Sequence, residues 1–484
     1  MALGDSVAAF FGFDDHGTDY STELLAGLTT FLTMSYIIVV NPFILNIAIT
    51  DAKLGVADGM AVQLLAVTTI LSAVAAMLVM GLYANLPFGL ASGMGLNAFF
   101  VSVVLSPQLG ITWQTALAAV FLEGVLFIAL TAIGAREYVI NLFPEPVKAG
   151  VGPGIGLFLA IIGLQFMRIT AFDTSDILSF NPILAQDPVA VVSILGILLT
   201  FVLYARGTRG SIVIGVLGTS ALGYIAAAVG LEAAANEVGD TYDLQPQALA
   251  PSDVIGIVND ALAFDAASYD ITPLAGAFLE GFGDVTGLTF AMVLFTFFFV
   301  DFFDTAGTLV GLSRAADMTD EDGEVPDMDE PLMADAIGTT VGGILGTSTV
   351  TTFIESSTGI EEGGRTGFTT LVVAGLFLLT LPFIPLLGLL PAYAPYVALL
   401  VVAVFMLRNV TDIAWDDNAH AIPGALTITL MPLTHSIATG IAAGLLSYPL
   451  VKTAQGEFED VQVGQWALAA AVVIYYVVRT NTLA

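Results

Sequence analysis

The chain's chemistry is concentrated in a few acids set in apolar surroundings. Asp301 and Asp304 lie in Phe297-Phe298-Phe299-Val300-Asp301-Phe302-Phe303-Asp304-Thr305-Ala306-Gly307-Thr308. Their i, i+3 spacing puts both carboxyls on one helix face, which Thr305 and Thr308 continue. Glu355 sits in a Ser- and Thr-rich stretch, Thr351-Thr352-Phe353-Ile354-Glu355-Ser356-Ser357. No Lys or Arg stands at comparable depth. A carboxyl taken out of water without a counter-charge tends to hold a proton. One such group can carry a coupling proton while another accepts N–H donors from a ligand. Carboxylate and Thr oxygens also suit sodium, so both ions stay open. The plainer role for these acids is to cap half-helices or line a wet vestibule.

Four further residues carry weaker signals. Asn97 both donates and accepts hydrogen bonds, which suits the edge of a heterocycle and helix packing equally. Glu123 is a single acid on an otherwise apolar helix and reads as structural or gate-lining. Asp335, near the start of a segment, reads as a cap or interface residue. His435, in Met431-Pro432-Leu433-Thr434-His435-Ser436, reads as a packing histidine. The other histidines, His16 and His420, are scattered, and there are no cysteines. Disulfides and thiolate zinc sites are therefore excluded, and neither a metal nor a cofactor is expected.

Such acids matter only if apolar elements hold them away from water. The 484-residue chain is 57% hydrophobic and 11% charged, against about 25% charged in soluble domains. With a mean hydropathy of +0.90, it reads as an all-α polytopic membrane protein with the lipid bilayer as its solvent. A span takes roughly 20 apolar residues. Clear segments fall near 23–47, 60–83, 112–133, 189–204, 211–230, 286–312, 366–386 and 465–481. Interrupted ones fall near 87–105, 146–167, 332–346, 347–361, 387–407 and 420–450, making fourteen candidates. The first 23 residues are acidic and lack a basic n-region, so no cleavable signal peptide is expected.

The basic residues orient the chain. With the N-terminus in the cytoplasm and fourteen crossings, Arg136, Lys148, Arg206, Arg209, Arg314, Arg365, Arg408 and Arg479 fall inside, and Lys53, Arg168 and Lys452 outside. The long segment 231–285 is then extracellular and joins two halves of seven spans. An odd number per half inverts the second half, as in an inverted-topology repeat. The net charge is −32, with acids gathered in 231–285 and 313–331. This argues against nucleic acid and anionic lipid as partners. It suits a halophile, where salt screens the repulsion.

Two segments are broken in a similar way. Pro87-Phe88-Gly89-Leu90-Ala91-Ser92-Gly93-Met94-Gly95 is too rich in Gly and Pro for a continuous helix. Gly346-Thr347-Ser348-Thr349-Val350-Thr351-Thr352 is rich in β-branched residues. Each reads as a short extended stretch running into a half-helix. In lipid such backbone survives only where protein buries it or it lines a cavity. Two matching breaks point to a binding site near the midplane, with half-helix N-termini as N–H donors.

The strings at Glu23–Ile37, Asn85-Leu86-Pro87, Gly93–Phe100, Phe303–Leu309, Gly346–Thr352, Glu355-Ser356, Gly363–Gly367 and Met431–Thr434 together resemble the nucleobase:cation symporter-2 superfamily, in its adenine/guanine/hypoxanthine permease branch. The likeness covers nearly the whole chain. It implies fourteen spans as a 7+7 inverted repeat, with short strands in spans 3 and 10. It implies a core domain at 23–145 (spans 1–4) and 286–386 (spans 8–11), and a gate domain at 146–230 (spans 5–7) and 387–484 (spans 12–14). An acidic tail at 1–22 and an acidic extracellular connection at 231–285 complete the chain, the latter having no counterpart in the family pattern. The resemblance further implies proton symport and dimers. A plasma-membrane location is expected, with both termini cytoplasmic by the fourteen crossings and the basic residues. Asp301 and Glu355 resemble the family's substrate-binding acids, Asn97 a polar site residue, and Asp304 a second acid with a role in transport. Thr305 stands where the uracil branch has histidine, and the Gln-His pair of the xanthine branch is not seen in span 1. Both departures favour purines. The expectation is therefore a transporter, not an enzyme, that takes up hypoxanthine, guanine or adenine with protons by alternating access. Substrate would be held by Asp301, Glu355, Asn97 and Thr305, and the proton by Asp304 or Asp301. Transport of uracil, xanthine or an anion on the same fold is the alternative.

Overall fold

The computed structural model describes residues 3–482 apart from 107–108, 135–141, 172–178, 182, 242–243, 245–246, 264–265, 285–286 and 317–327. Arg136, used above for orientation, lies outside the described residues, as do the side chains of Arg314 and Arg479 and most of the acidic run 313–331. Among the described residues, nine helices are long and apolar enough to cross a membrane. They account for most of the candidate segments. Of the rest, 87–105 and 347–361 are interrupted, while Gly287–Ala315, Asp329–Leu345 and Val463–Thr482 are continuous helices outside that set.

The two broken segments do form strands. β1 (Leu90–Ser92) and β2 (Val350–Thr352) pair antiparallel, with Leu90 opposite Thr352, Ala91 opposite Thr351 and Ser92 opposite Val350. All six residues are buried. Gly93 N–H to Thr349 O (3.0 Å) and Phe353 N–H to Gly89 O (2.9 Å) extend the ladder. The two segments thus satisfy each other's backbone where water is absent. A Cβ on Gly93 would lie 2.7 Å from Thr351 Cγ2, so the crossing needs glycine there. Beyond Gly93 runs α4 (Met94–Leu105), which has no side-chain cap on its first turn. The half-helix beyond β2 is short: a 3-10 turn at Ile354–Ser356, then five helical residues, Ser357–Glu361.

Around the strands the helices pack in two sets, each drawn from both halves of the chain. In the first set, α1 (Tyr20–Met34), α2 (Ile37–Asn46), α3 (Met60–Val79) and α5 (Trp113–Ala132) meet α9 (Gly287–Ala315), α10 (Asp329–Leu345) and α11 (Gly367–Thr380). In the second, α6 (Glu145–Phe166), α7 (Pro188–Ala205) and α8 (Ser211–Ala228) meet α12 (Val397–Leu407), α13 (Asn418–Leu433) and α14 (Ile437–Ala454). Buried Glu23 ties α1 to the start of α11. It accepts from Arg365 N (3.0 Å), Thr366 Oγ1 (2.9 Å), and Thr369 N and Oγ1 (3.1 and 2.6 Å).

The stretch 420–450, read from sequence as one segment, is a hairpin of two helices. Residues 434–436 turn the chain, with His435 at φ +50°. The far ends meet again where Gln455 Nε2 donates to Asp417 Oδ1 (3.1 Å). Lys452 therefore shares the end of the molecule that carries Arg408, only a short connection before Asp417, and not the opposite end. An apolar run longer than one span cannot reveal a reversal made by three polar residues.

The acidic connection 231–285 is anchored, not loose. Buried Arg168 lies 3.8 Å from buried Asp187 and donates to the carbonyls of Ala235 (2.9 Å) and Gln247 (3.4 Å). Tyr393 Oη donates to Leu249 O (3.1 Å). Gly276 N–H donates to Ile344 O (2.8 Å) at the end of α10.

Candidate functional site

Where the two sets of helices face each other, a cavity of about 540 Å³ lies open. One wall holds Asp304 and Thr308 of α9 and Ile354, Glu355, Ser357 and Thr358 beyond β2. The other holds Lys148, Val151, Gly152 and Ile155 of α6, Tyr204 of α7, and Phe405, Met406, Arg408, Asn409 and Asp412 on and after α12. Exposed Arg408, Asn409 and Asp412 mark its mouth. Gly95, at the start of α4, packs against two of the lining residues: a Cβ there would lie 2.9 Å from Ile155 Cγ2 and 3.5 Å from Met406 Cε. Pockets for small organic molecules span roughly 300–1,000 Å³, so the volume suits a single small ligand.

The predicted site residues divide between this cavity and the interior behind it. Glu355 and Asp304 face the cavity together. Glu355 accepts a hydrogen bond from Tyr36 Oη (2.7 Å) through one oxygen, which leaves the other for a ligand. Asp304 is half-buried, and no hydrogen bond to its side chain is found among the described residues. Asp301, Thr305 and Asn97 are fully buried and stand behind the wall. Asn97 accepts from Ser348 Oγ, beside a separate net in which Asn41 donates to Thr69 (2.7 Å) and Thr347 (3.1 Å).

Asp301 belongs to a buried group of carboxyls with Glu123 and Asp335, at 0%, 0% and 3% exposure. Thr305 Oγ1 sits at the centre, 3.3 Å from Asp301 Oδ1, 3.0 Å from Asp335 Oδ2 and 2.8 Å from Thr351 Oγ1. Asp335 Oδ1 accepts from Thr352 N (2.9 Å), and Glu123 Oε2 accepts from Thr349 Oγ1 (3.0 Å). Strand β2 is thus held along its length by acids of α5 and α10. Glycines explain how α5 and α10 come close enough: a Cβ on Gly124 would lie 2.4 Å from Thr340 Oγ1, and one on Gly343 2.8 Å from Phe121 N. Asp335, expected at a cap or interface, instead pins the strand from inside. Among the described residues no group of acids, His or Cys is arranged to hold a metal ion.

Sequence reading missed Tyr36, Arg408, Asn409 and Asp412. Tyr36 falls within a string that carries the family resemblance but no charge or period singles it out. The other three follow the end of an apolar helix, where polar residues are ordinary. His435 lines a second, smaller cavity of about 210 Å³ with Phe99, Ser102, Met292 and Tyr476, toward the far end of α4. Phe99 of that cavity packs edge-on against Phe297, their ring centres 4.5 Å apart.

Two helix sets built across both halves, crossed strands at their contact and a cavity walled by both describe a membrane carrier fold. The arrangement matches solved transport proteins. The transmembrane domain of a cyanobacterial bicarbonate transporter, BicA, aligns at TM-score 0.53 and 14% identity, over 88% of this chain and 97% of that one. Murine Slc26a9, an anion transporter, aligns at TM-score 0.53 and 12% identity, over 90% of this chain and 69% of that one. At such identities the likeness concerns the fold. The profile of the permease family matches residues 21–443, and the chain belongs to that family, the nucleobase:cation symporter-2 permeases. MJ0326 of Methanocaldococcus jannaschii is 40% identical over 97% of each chain. The guanine/hypoxanthine permease PbuG of Bacillus subtilis is 36% identical over 97% of this chain and 99% of its own. The adenine permease AdeQ of Escherichia coli is 34% identical over 96% of this chain and 95% of its own. The relatives are permeases and not enzymes, and their names support nucleobase transport.

Proposed function

We propose that this protein carries purine nucleobases across the plasma membrane by alternating access, coupled to protons. The observation that supports it best is the pairing of Glu355 and Asp304 in one cavity between the helix sets, in a chain related over nearly its whole length to purine permeases. The oxygen of Glu355 not engaged by Tyr36 accepts a ring or exocyclic N–H, and Asp304 accepts a second. Phe405 offers a flat apolar face for the heterocycle. The first helix set, 23–145 with 286–386, acts as the core; the second, 146–230 with 387–484, acts as the gate. Lys148 and Arg408 beside the mouth support a cytoplasmic opening, since basic residues are in excess on that side. Rocking core against gate exchanges the two openings.

Acids on the core wall, with no base among its described lining residues, disfavour an anionic substrate. The test is uptake of radiolabelled hypoxanthine into proteoliposomes under an imposed proton gradient and then a sodium gradient. Adenine, guanine, xanthine, uracil and bicarbonate serve as competitors. Saturable uptake driven by the proton gradient and blocked by purines is expected. Uptake blocked only by uracil, xanthine or bicarbonate would overturn the substrate assignment. Drive by sodium alone would overturn the coupling.

A further inference from the structure

The Glu123–Asp301 contact is chemically incomplete as a pair of carboxylates. Their carboxyls lie within hydrogen-bonding reach of each other. Glu123 Oε1 and Asp301 Oδ2 are both sealed from solvent and have no donor. Two carboxylate oxygens only accept, so their contact becomes a bond only when a proton is added. The elements packed on Glu123 bring Asp301, Asp304 and Asp335, with Glu280, Asp329 and Glu330 at their ends. None of their described side chains is basic. Two like charges in contact in a dry interior cannot both persist.

We infer that Glu123 and Asp301 share one proton, and that this pair, not cavity-lining Asp304, stores the proton that drives transport. The inference rests on the proposed reading of a proton-coupled base carrier and adds to it the residues that hold the proton. The distances fit a proton better than sodium. Thr305 Oγ1 stands among the oxygens, 2.8–3.3 Å from Asp301, Asp335 and Thr351, and among the described residues no group of acids is arranged to hold a metal ion. The pair also has a route to the substrate. Glu123 holds Thr349, Thr305 joins Asp301 to Thr351, and Glu355 follows β2 by three residues. Loss of the proton leaves two facing charges, which separate and pull on the strand that carries Glu355. Proton and base thereby act on one element.

The test compares wild type with Glu123→Gln, a neutral side chain of the same shape, and with Glu280→Gln on an exposed acid. With one proton per base, one pH unit across proteoliposomes supports about tenfold accumulation of hypoxanthine. Wild type and Glu280→Gln are expected to approach that ratio. Glu123→Gln is expected to stay near unity while still exchanging labelled for unlabelled base. Infrared spectra at neutral pH supply a readout that needs no substrate: a carboxylic-acid C=O band that shifts in D2O, present in wild type and lost in Glu123→Gln. Asp301→Asn should lose the same band and serves if Glu123→Gln does not fold. Tenfold accumulation by Glu123→Gln, or an unchanged band in both variants, overturns the inference and leaves the substrate reading standing. If wild type moves no base yet the band behaves as stated, the shared proton stands and the carrier reading falls.

Discussion

Replacing Glu355 by Gln isolates the contact on which substrate recognition is argued to rest. The carboxylate engages Tyr36 Oη through one oxygen at 2.7 Å and offers the other to the cavity. Gln keeps the shape and can still accept from Tyr36, so the fold should hold. With the amide oxygen turned to Tyr36, the NH2 group faces the N–H of the base, so the charged acceptor is lost. A hydrogen bond to a charged group contributes about 1.5–3 kcal/mol. At about 1.4 kcal/mol per decade, Kd for hypoxanthine should rise roughly ten- to 150-fold. Equilibrium binding of the radiolabelled base to purified protein in detergent measures this directly. The thermal midpoint, read on the same sample, should barely move. A Kd within about twofold of wild type, on a monodisperse variant, would refute the assignment of Glu355 as a base-binding acid.

Asp304→Asn should also weaken base binding, by about tenfold, with little change in stability, because its side chain has no hydrogen-bond partner among the described residues; the same binding assay decides it. Glu23→Gln should destabilise the protein by about 3 kcal/mol, because Gln's amide would face donors that now meet a buried carboxylate; thermal unfolding in detergent would show a clear drop. Arg168→Met should leave Asp187 buried without its counter-charge and cost about 3–5 kcal/mol. Limited proteolysis should then cut the 231–249 region faster than in wild type.

Some of this protein is determined by the sequence alone. Apolar segments with so few charges require a bilayer. A run of β-branched residues facing a run of Gly and Pro requires extended backbone at two places, and such backbone survives in lipid only if the two places meet. The candidate acids were legible because an acid at depth is costly and rarely idle. The hairpin at 420–450 and the anchoring of 231–285 were not legible. One depends on a three-residue reversal, the other on a single Arg reaching backbone carbonyls nearly 70 and 80 residues away.

Tertiary structure alone decided which acids act together. Spacing puts Asp301 and Asp304 on one face, yet three residues turn a helix by 300°, which leaves the two side chains about 60° apart. At a wall between cavity and interior that angle is enough to separate them. Asp304 meets the cavity with Glu355, and Asp301 meets Glu123 behind the strand. Nothing in the sequence near Glu123 names that partner. Gly124 and Gly343 set the contact by letting α5 and α10 approach until one helix's acid reaches the other's strand. Close packing between helices far apart in sequence is a property of the folded surfaces, and a linear pattern does not carry it.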